Sequence, residues 1–342
     1  MKEGNKYMHI RNGNEYIITN DDLSVKQTSD NEWEHAVEYM DVKTYQVFIT
    51  GSNAKMLSAD ISTTLGGRFF NKTINPLSFS EFLVFNKIYL KVNWEYSNQR
   101  FDIKEKYEEY LQYGGFPELV RYRDKREYLS NIYQKLFYGD VIARYSVSNP
   151  QILRLLIKKL AESVNNETSI NRIKNLIKST DIPVGNSTLF EYIEHLNNSF
   201  IISEISNYTS KYVERETKKK YYFSDTGLLS LFLMDQDSKL LENQVYVELK
   251  RRYQETIYFY KRNIEVDFYI PERKLLIQVS YNIVEEDARK REIKSLVKVM
   301  KEENIDSGII ITYDGEERLE IDNKVINIIP AWKWLLLANQ SQ

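Results

Sequence analysis

The pattern of apolar and polar positions along this 342-residue chain changes at Pro150 and again near Glu242. Before Pro150, residues 7–19 (YMHIRNGNEYIIT) are two short strand-like runs around Asn12-Gly13, a hairpin signal. Residues 20–31 are polar and loop-like, and residues 33–40 suit a short helix. Val47-Phe48-Ile49-Thr50 is a brief apolar run stopped by Gly51, the pattern of a buried parallel strand. A helix is expected from Ala54 and a strand near 69–75, which Pro76 breaks before Leu77-Ser78-Phe79 leads into another helix. Residues 104–145 read as mostly helical, interrupted at Gly114-Gly115-Phe116-Pro117.

From Pro150, Ile152, Leu155, Leu156 and Leu160 define one amphipathic helix, and Ile173, Leu176 and Ile177 a second, short one. Asp181-Ile182-Pro183-Val184-Gly185 is a turn, and Leu189, Ile193 and Leu196 define a third helix. Two strand-like runs follow, around 201–208 and 219–223, joined by a charged stretch. Helix, helix, turn, helix, hairpin is the order of a winged helix-turn-helix. From Glu242 the pattern predicts a helix (242–252), strands at 256–260, 265–270 and 274–280, and a helix at 285–302. Ile293, Leu296, Val297 and Met300 lie on one face of that last helix, and strands at 309–312 and 325–329 and a helix at 331–337 complete the chain. The expected class is therefore α/β.

Composition narrows the chemistry. Hydrophobic residues make up 42% and charged residues 28%, ordinary for a soluble globular protein, and the net charge of −2 supplies no global basic field. Cysteine is absent, which excludes disulfides, thiol catalysis and thiolate metal sites and fits a reducing compartment. The N-terminal MKEGNKYMHIRNGNEY has no apolar signal core, and no apolar run approaches membrane-spanning length, so a cytoplasmic protein without membrane contact is expected.

Thr50-Gly51-Ser52-Asn53, Gly66-Gly67-Arg68 and Pro76-Leu77-Ser78-Phe79-Ser80-Glu81-Phe82 follow one another closely. Further on come Tyr113-Gly114-Gly115-Phe116-Pro117, Tyr222-Phe223-Ser224-Asp225-Thr226-Gly227-Leu228, Glu242-Asn243-Gln244-Val245 and Glu265-Val266-Asp267-Phe268. In this order the chain resembles, over roughly residues 33–337, a prokaryotic AAA-type (P-loop) ATPase family. Its members carry a C-terminal domain of unknown function that looks like a PD-(D/E)xK restriction endonuclease. The resemblance implies a partial P-loop-type core at 1–83, a helical lid-like region at 84–149, a winged-helix-like region at 150–235 and a nuclease-like domain at 236–342. It also implies ATP and Mg²⁺ as ligands, with Ser52 and Asn53 as sensor residues beside the γ-phosphate and Arg68 near the nucleotide. A strand-to-helix turn with a Ser or Asn cap explains Thr50–Asn53 equally simply.

The family's phosphate-binding loop is missing, since no Gly-Lys dipeptide occurs in these residues. Tyr16-Ile17-Ile18-Thr19-Asn20-Asp21-Asp22 could stand for the family's acidic strand end, but a hairpin strand entering a polar loop explains it better. ATP hydrolysis by this chain alone is not expected, and a truncated or divided gene product would account for the loss. In the winged-helix-like region the third helix carries Glu191 and Glu194 and no Lys or Arg between Ser187 and Ser199. The wing is basic instead: Lys211, Arg215, Lys218, Lys219 and Lys220 outnumber Glu214 and Glu216, either as a phosphate-contacting wing or as a solvated loop. His195, near a helix end, reads as a capping or partly buried residue.

In the nuclease-like region the resemblance maps the acidic and cationic positions to Glu242, Asp267, Gln278 and Ser280. Gln278-Val279-Ser280 stands where the pattern wants Glu-x-Lys, so the carboxylate charge and the Lys cation are both lost. Asp267 is the one metal-ligand candidate, and polar alternation on a half-buried strand explains Glu265 and Asp267 as well. Lys290 could reach the site from the next helix. The expected function is that of an AAA-type family member retained as a protein- or nucleic-acid-binding scaffold. The alternatives are an ATPase completed in trans by another chain and a DNA-processing enzyme using Asp267. The implied partners are an unidentified protein or a second copy of the chain, with DNA reached through the wing.

Overall fold

The computed structural model describes residues 72–234, 237–253, 255–283 and 285–337, together with the backbone of four strands nearer the N-terminus. The chain divides into two compact units, Met1–Ile74 and Asn75–Gln342.

In the first unit, β1 (Tyr7–Arg11), β2 (Asn14–Ile18), β3 (Val25–Thr28) and β4 (Phe48–Thr50) form a sheet of order β3-β2-β1-β4. Arg11 pairs with Asn14, so Asn12-Gly13 is the two-residue hairpin loop that its sequence predicts. β4 runs parallel to β1, as its short apolar run suggests. β3 falls in the stretch read as loop: Val-Lys-Gln-Thr has no apolar alternation, and its pairing with β2 makes it a strand. The helices expected at 33–40 and from Ala54 lie outside the described residues, and of the strand expected at 69–75 the described residues 72–75 are not extended ladder.

The second unit opens with α1 (Phe79–Phe85), whose Ser78 cap and Glu81 form a reciprocal capping box. Next come α2 (Gln99–Tyr113), a 3₁₀ turn at Pro117–Arg121, and α3 (Lys125–Lys135), which continues into a π-helical stretch at Leu136–Ala143. The middle region contains α4 (Pro150–Ser163), β5 (Thr168–Ser169), α5 (Ile170–Lys178), α6 (Asn186–Asn198), β6 (Ile202–Ser206), α7 (Tyr212–Thr217) and β7 (Lys218–Phe223). The three strands form an antiparallel sheet of order β5-β7-β6. Ile152, Leu156, Leu160, Ile173, Ile177, Leu189, Ile193 and Leu196 are buried together, whereas Leu176, at the edge of its stripe, is 42% exposed. α7 occupies the charged stretch read as an irregular connection.

The remainder is α8 (Thr226–Ser230), α9 (Asp237–Arg252), β8 (Tyr258–Lys261), β9 (Glu265–Ile270), β10 (Leu275–Ser280), α10 (Glu286–Glu302), β11 (Ser307–Thr312), β12 (Glu317–Ile321), β13 (Lys324–Pro330) and α11 (Ala331–Leu337). The strands form one mixed sheet of order β12-β13-β11-β10-β9-β8, with β10, β11 and β13 parallel. Consecutive residues point to opposite faces: Leu276 and Ile310 pack with Leu296 and Met300 of α10, while Ile277 and Ile311 join the core that contains Leu241, Val245 and Leu249 of α9. Each such buried side chain contributes roughly 1.5–3 kcal/mol. Among the described residues no helix is long and apolar enough to cross a membrane.

Candidate functional site: a lysine among three carboxylates

Burial on β7 is graded: Lys218 is exposed, and from Lys220 to Phe223 every side chain is buried. Lys220 and Tyr222, two positions apart, therefore share a face that has no access to solvent. That face meets Glu242 of α9 and the acidic end of β9. The Lys220 ammonium, fully buried, lies 2.9 Å from Glu265 Oε1, 3.0 Å from Asp267 Oδ1 and 3.4 Å from Glu242 Oε1. Tyr222 donates its hydroxyl to Glu242 Oε1 at 2.8 Å, and its ring stacks on Tyr246 at 4.4 Å. The Val279 N–H donates to Asp267 Oδ2 at 3.0 Å, so both Asp267 oxygens are occupied. Gln278 accepts from the Asp267 N–H at 3.2 Å and donates to Glu292 Oε2 at 2.8 Å.

The charges hold one another. Burial pulls the Lys220 ammonium down, but Glu242, Asp267 and Glu265 together keep it well above an ordinary lysine. Burial and then the Asp267 charge push Glu242 up to about 7, against the pull of Lys220 and the Tyr222 hydrogen bond. Glu265 is also pushed up by burial, yet Lys220 and Lys261 outweigh this and hold it below its usual range. The Lys220 ammonium occupies the point on which the three carboxylates converge, Lys261 takes the other oxygen of Glu265 at 2.9 Å, and each Asp267 oxygen already accepts a hydrogen bond. Among the described residues no group of three or more Asp, Glu, His or Cys is arranged to hold a metal. Asp267, the expected metal ligand, is in this structure the partner of Lys220 and of the Val279 N–H.

A second buried polar network joins the remaining motifs. Asp225 caps α8, accepting from the Gly227 N–H at 2.8 Å, and its other oxygen accepts from the Gly115 N–H at 2.8 Å. Burial pushes its carboxyl up to about 6, although three backbone N–H groups and Arg251 draw it down. The glycines are steric requirements. Gly114 has φ +77°, and a Cβ there would meet the Asp225 carboxylate, while one on Gly227 would lie 2.1 Å from the Tyr113 carbonyl oxygen. Leu77 donates its N–H to the Gly115 carbonyl at 2.7 Å, and Arg251 of α9 reaches the Pro76 carbonyl at 2.7 Å. Asn243, completely buried, accepts from the Phe223 N–H at 2.7 Å and donates to its carbonyl at 3.0 Å, filling the open edge of β7.

Residues 25–83 match the AAA domain family, and residues 104–239 match a domain of unknown function, DUF8612. An uncharacterised protein of Methanocaldococcus jannaschii is 34% identical over 324 residues, 91% of this chain and 73% of that protein. An uncharacterised protein of Haemophilus influenzae is 31% identical over 300 residues, 85% of this chain and 70% of that protein. The chain belongs to this AAA-domain family. Of the AAA-domain protein's motifs, those from Pro76 onward are thus ties between helices and strands. ATP and Mg²⁺ are implied by the family match alone. Ser52, Asn53 and Arg68, the residues that would meet them, lie outside the described residues, as do Asp21 and Asp22.

The structure of the AAA-domain protein brings Glu242, Asp267 and Gln278 together and leaves Ser280 apart, its hydroxyl donating to the Asn282 carbonyl at 3.3 Å. Lys290 does not reach them, being paired with Glu286 at 2.6 Å on the exposed face of α10. The cation that lies beside Glu242 and Asp267 is Lys220. The wing assignment of Lys220 is corrected: a side chain with no exposure cannot meet phosphate. Lys219 is engaged by Glu204 and lies 3.8 Å from Glu216, and Arg215 donates to the Ser210 carbonyl at 3.0 Å and to that of Tyr208. Lys211 and Lys218 alone of the five are exposed. Its place in a charge run hid Lys220. The one signal was its two-residue offset from Tyr222 on a strand whose later residues, Tyr-Tyr-Phe, are apolar on both faces. His195 stacks on Tyr145 at 3.9 Å, a packing role.

Proposed function

We propose that this AAA-domain protein is a binding scaffold whose nuclease-like half is chemically silent. The observation that carries this is the Lys220 ammonium, sealed among Glu242, Glu265 and Asp267 where a nuclease of the resembled type would hold its metal. The nuclease-like reading of 236–342 is supported by the order helix, three strands, helix, strand from α9 to β11. The winged-helix-like reading of 150–235 is supported by α4, β5, α5, α6 and a hairpin with sheet order β5-β7-β6. The acidic third helix, and a wing in which Lys211 and Lys218 are the exposed cations of the five, favour a protein partner for that region over DNA.

The test is cleavage of single- and double-stranded DNA and RNA by the full chain with Mg²⁺ or Mn²⁺. No cleavage is expected. Metal-dependent cleavage abolished by Asp267→Asn would overturn the proposal. The AAA-domain match at 25–83 favours a second reading of the N-terminal unit, an ATP site whose phosphate cradle comes from sequence beyond these residues or from another chain. A thermal shift with ATP and Mg²⁺, lost in Arg68→Ala, would support it.

A further inference from the structure

Between Lys290 and Lys301 of α10, every exposed position is basic: Lys290, Arg291, Lys294, Lys298 and Lys301. Lys290, Lys294, Lys298 and Lys301 recur at intervals of four, four and three residues, which aligns them on one face over about 16 Å at the helical rise. The buried face of the same helix, Leu296, Val297, Val299 and Met300, is fixed in the sheet core, so the basic face points permanently outward. Lys294 and Lys298 make no ion pair among the described residues. The pairs at Lys290–Glu286, Arg291–Glu292 and Lys301–Asp322 leave their cations 68%, 75% and 51% exposed. Pairs this open to water exchange readily for another anion. The acidic residues of the helix are grouped at its ends, Glu286 and Asp287 in the first turn and Glu302 at the last residue, or are turned inward, as Glu292 is by Gln278.

We propose that this ridge binds the phosphodiester backbone of a nucleic acid. A straight, evenly spaced row of cations matches a linear polyanion of regular repeat. A helix lying on a membrane would in addition present apolar side chains, and none of the exposed large hydrophobic side chains among the described residues is on α10. The chain as a whole has a net charge of −2, so the ridge is a local feature set against an acidic background. The inference rests on the scaffold reading in that it names the scaffold's partner class, while the two tests remain separable: cleavage decides silence, and binding decides the ridge.

The experiment measures binding of a fluorescent duplex to the full chain by anisotropy as a function of salt. It compares the wild type, the quadruple variant Lys290→Gln/Lys294→Gln/Lys298→Gln/Lys301→Gln, and a control, Lys211→Gln/Lys218→Gln. With four phosphates neutralised, log Kd should change with log salt at a slope of about 3.6, roughly a 100-fold weakening between 50 and 200 mM salt. The quadruple variant, with an unchanged circular dichroism spectrum and Tm, should lose most of that slope and bind at least about tenfold more weakly at 50 mM salt, a low-salt condition where such contacts dominate. The control should bind as the wild type does. No salt-dependent binding, an unaffected quadruple variant, or stronger binding to polyglutamate or to phosphatidylserine vesicles than to the duplex would each overturn the proposal.

Discussion

Replacing Lys220 by Met keeps the length and volume of the side chain and removes its charge. Three carboxylates, 2.9, 3.0 and 3.4 Å from the ammonium, would then face one another with Lys261, paired to Glu265, as the remaining counter-charge. Removing one partner of a buried ion pair costs about 3–5 kcal/mol, a large part of a typical stability of about 5–15 kcal/mol. The pH dependence follows from the carboxyls. Glu242, with a folded value of about 7 against its ordinary 4.5, holds a proton in the native state that the unfolded chain releases. Such a group contributes stability below its unfolded value and loses it as pH rises through its folded value. Without Lys220 its folded value climbs further, and Glu265 loses one of the two lysines that keep it low. The gap between wild type and Lys220→Met, measured by urea unfolding followed by tryptophan fluorescence, should therefore widen from pH 5 to pH 8. The double variant Lys220→Met/Glu242→Gln should recover part of the loss at pH 8, because it removes the most deeply buried of the repelling charges. A variant within about 1 kcal/mol of wild type at pH 8, on the scale of an exposed pair, would refute the reasoning. So would a gap that widens on acidification.

Gly227→Ala places a methyl 2.1 Å from the Tyr113 carbonyl oxygen, a backbone atom that cannot step aside, and should cost about 3 kcal/mol or more in urea unfolding. Asp225 has a folded value of about 6 against an ordinary 3.8, a displacement worth about 3 kcal/mol, so its contribution is present below about pH 4 and lost as pH rises through 6. Asp225→Asn turns one amide N–H group toward a backbone donor and should be the less stable protein at pH 4. Its deficit should shrink by pH 7, because only the wild type pays for ionising there; a deficit that grows over this range would contradict the assignment.

Much of the fold could be read from periodicity. The strand at Glu265–Ile270 and the helix at Ala331–Leu337 fall where the pattern predicts, because each has a strong apolar period and a clear stop. β3, β12 and α7 could not be read. Val-Lys-Gln-Thr and Glu-Arg-Leu-Glu-Ile offer at most two apolar residues each, and such strands owe their existence to the neighbour they pair with. The candidate site was half legible. Glu242 and Asp267 are marked by their motifs, whereas Lys220 sits 47 positions before Asp267 in a run of three lysines, and only tertiary structure distinguishes the buried one. The family motifs look like chemistry in one dimension, yet Gly115, Asp225, Gly227 and Asn243 hold backbone to backbone in three.

Lys220 belongs to the hairpin, and the groups that neutralise it belong to α9 and β9. Either segment excised alone would carry a stranded charge: a lone ammonium on one side, three crowded carboxylates on the other. Recombination that exchanged one region for a foreign counterpart would produce the same imbalance. The two regions are thus bound to a common inheritance, and a change at Lys220 in any relative should be accompanied by a change among Glu242, Glu265 and Asp267.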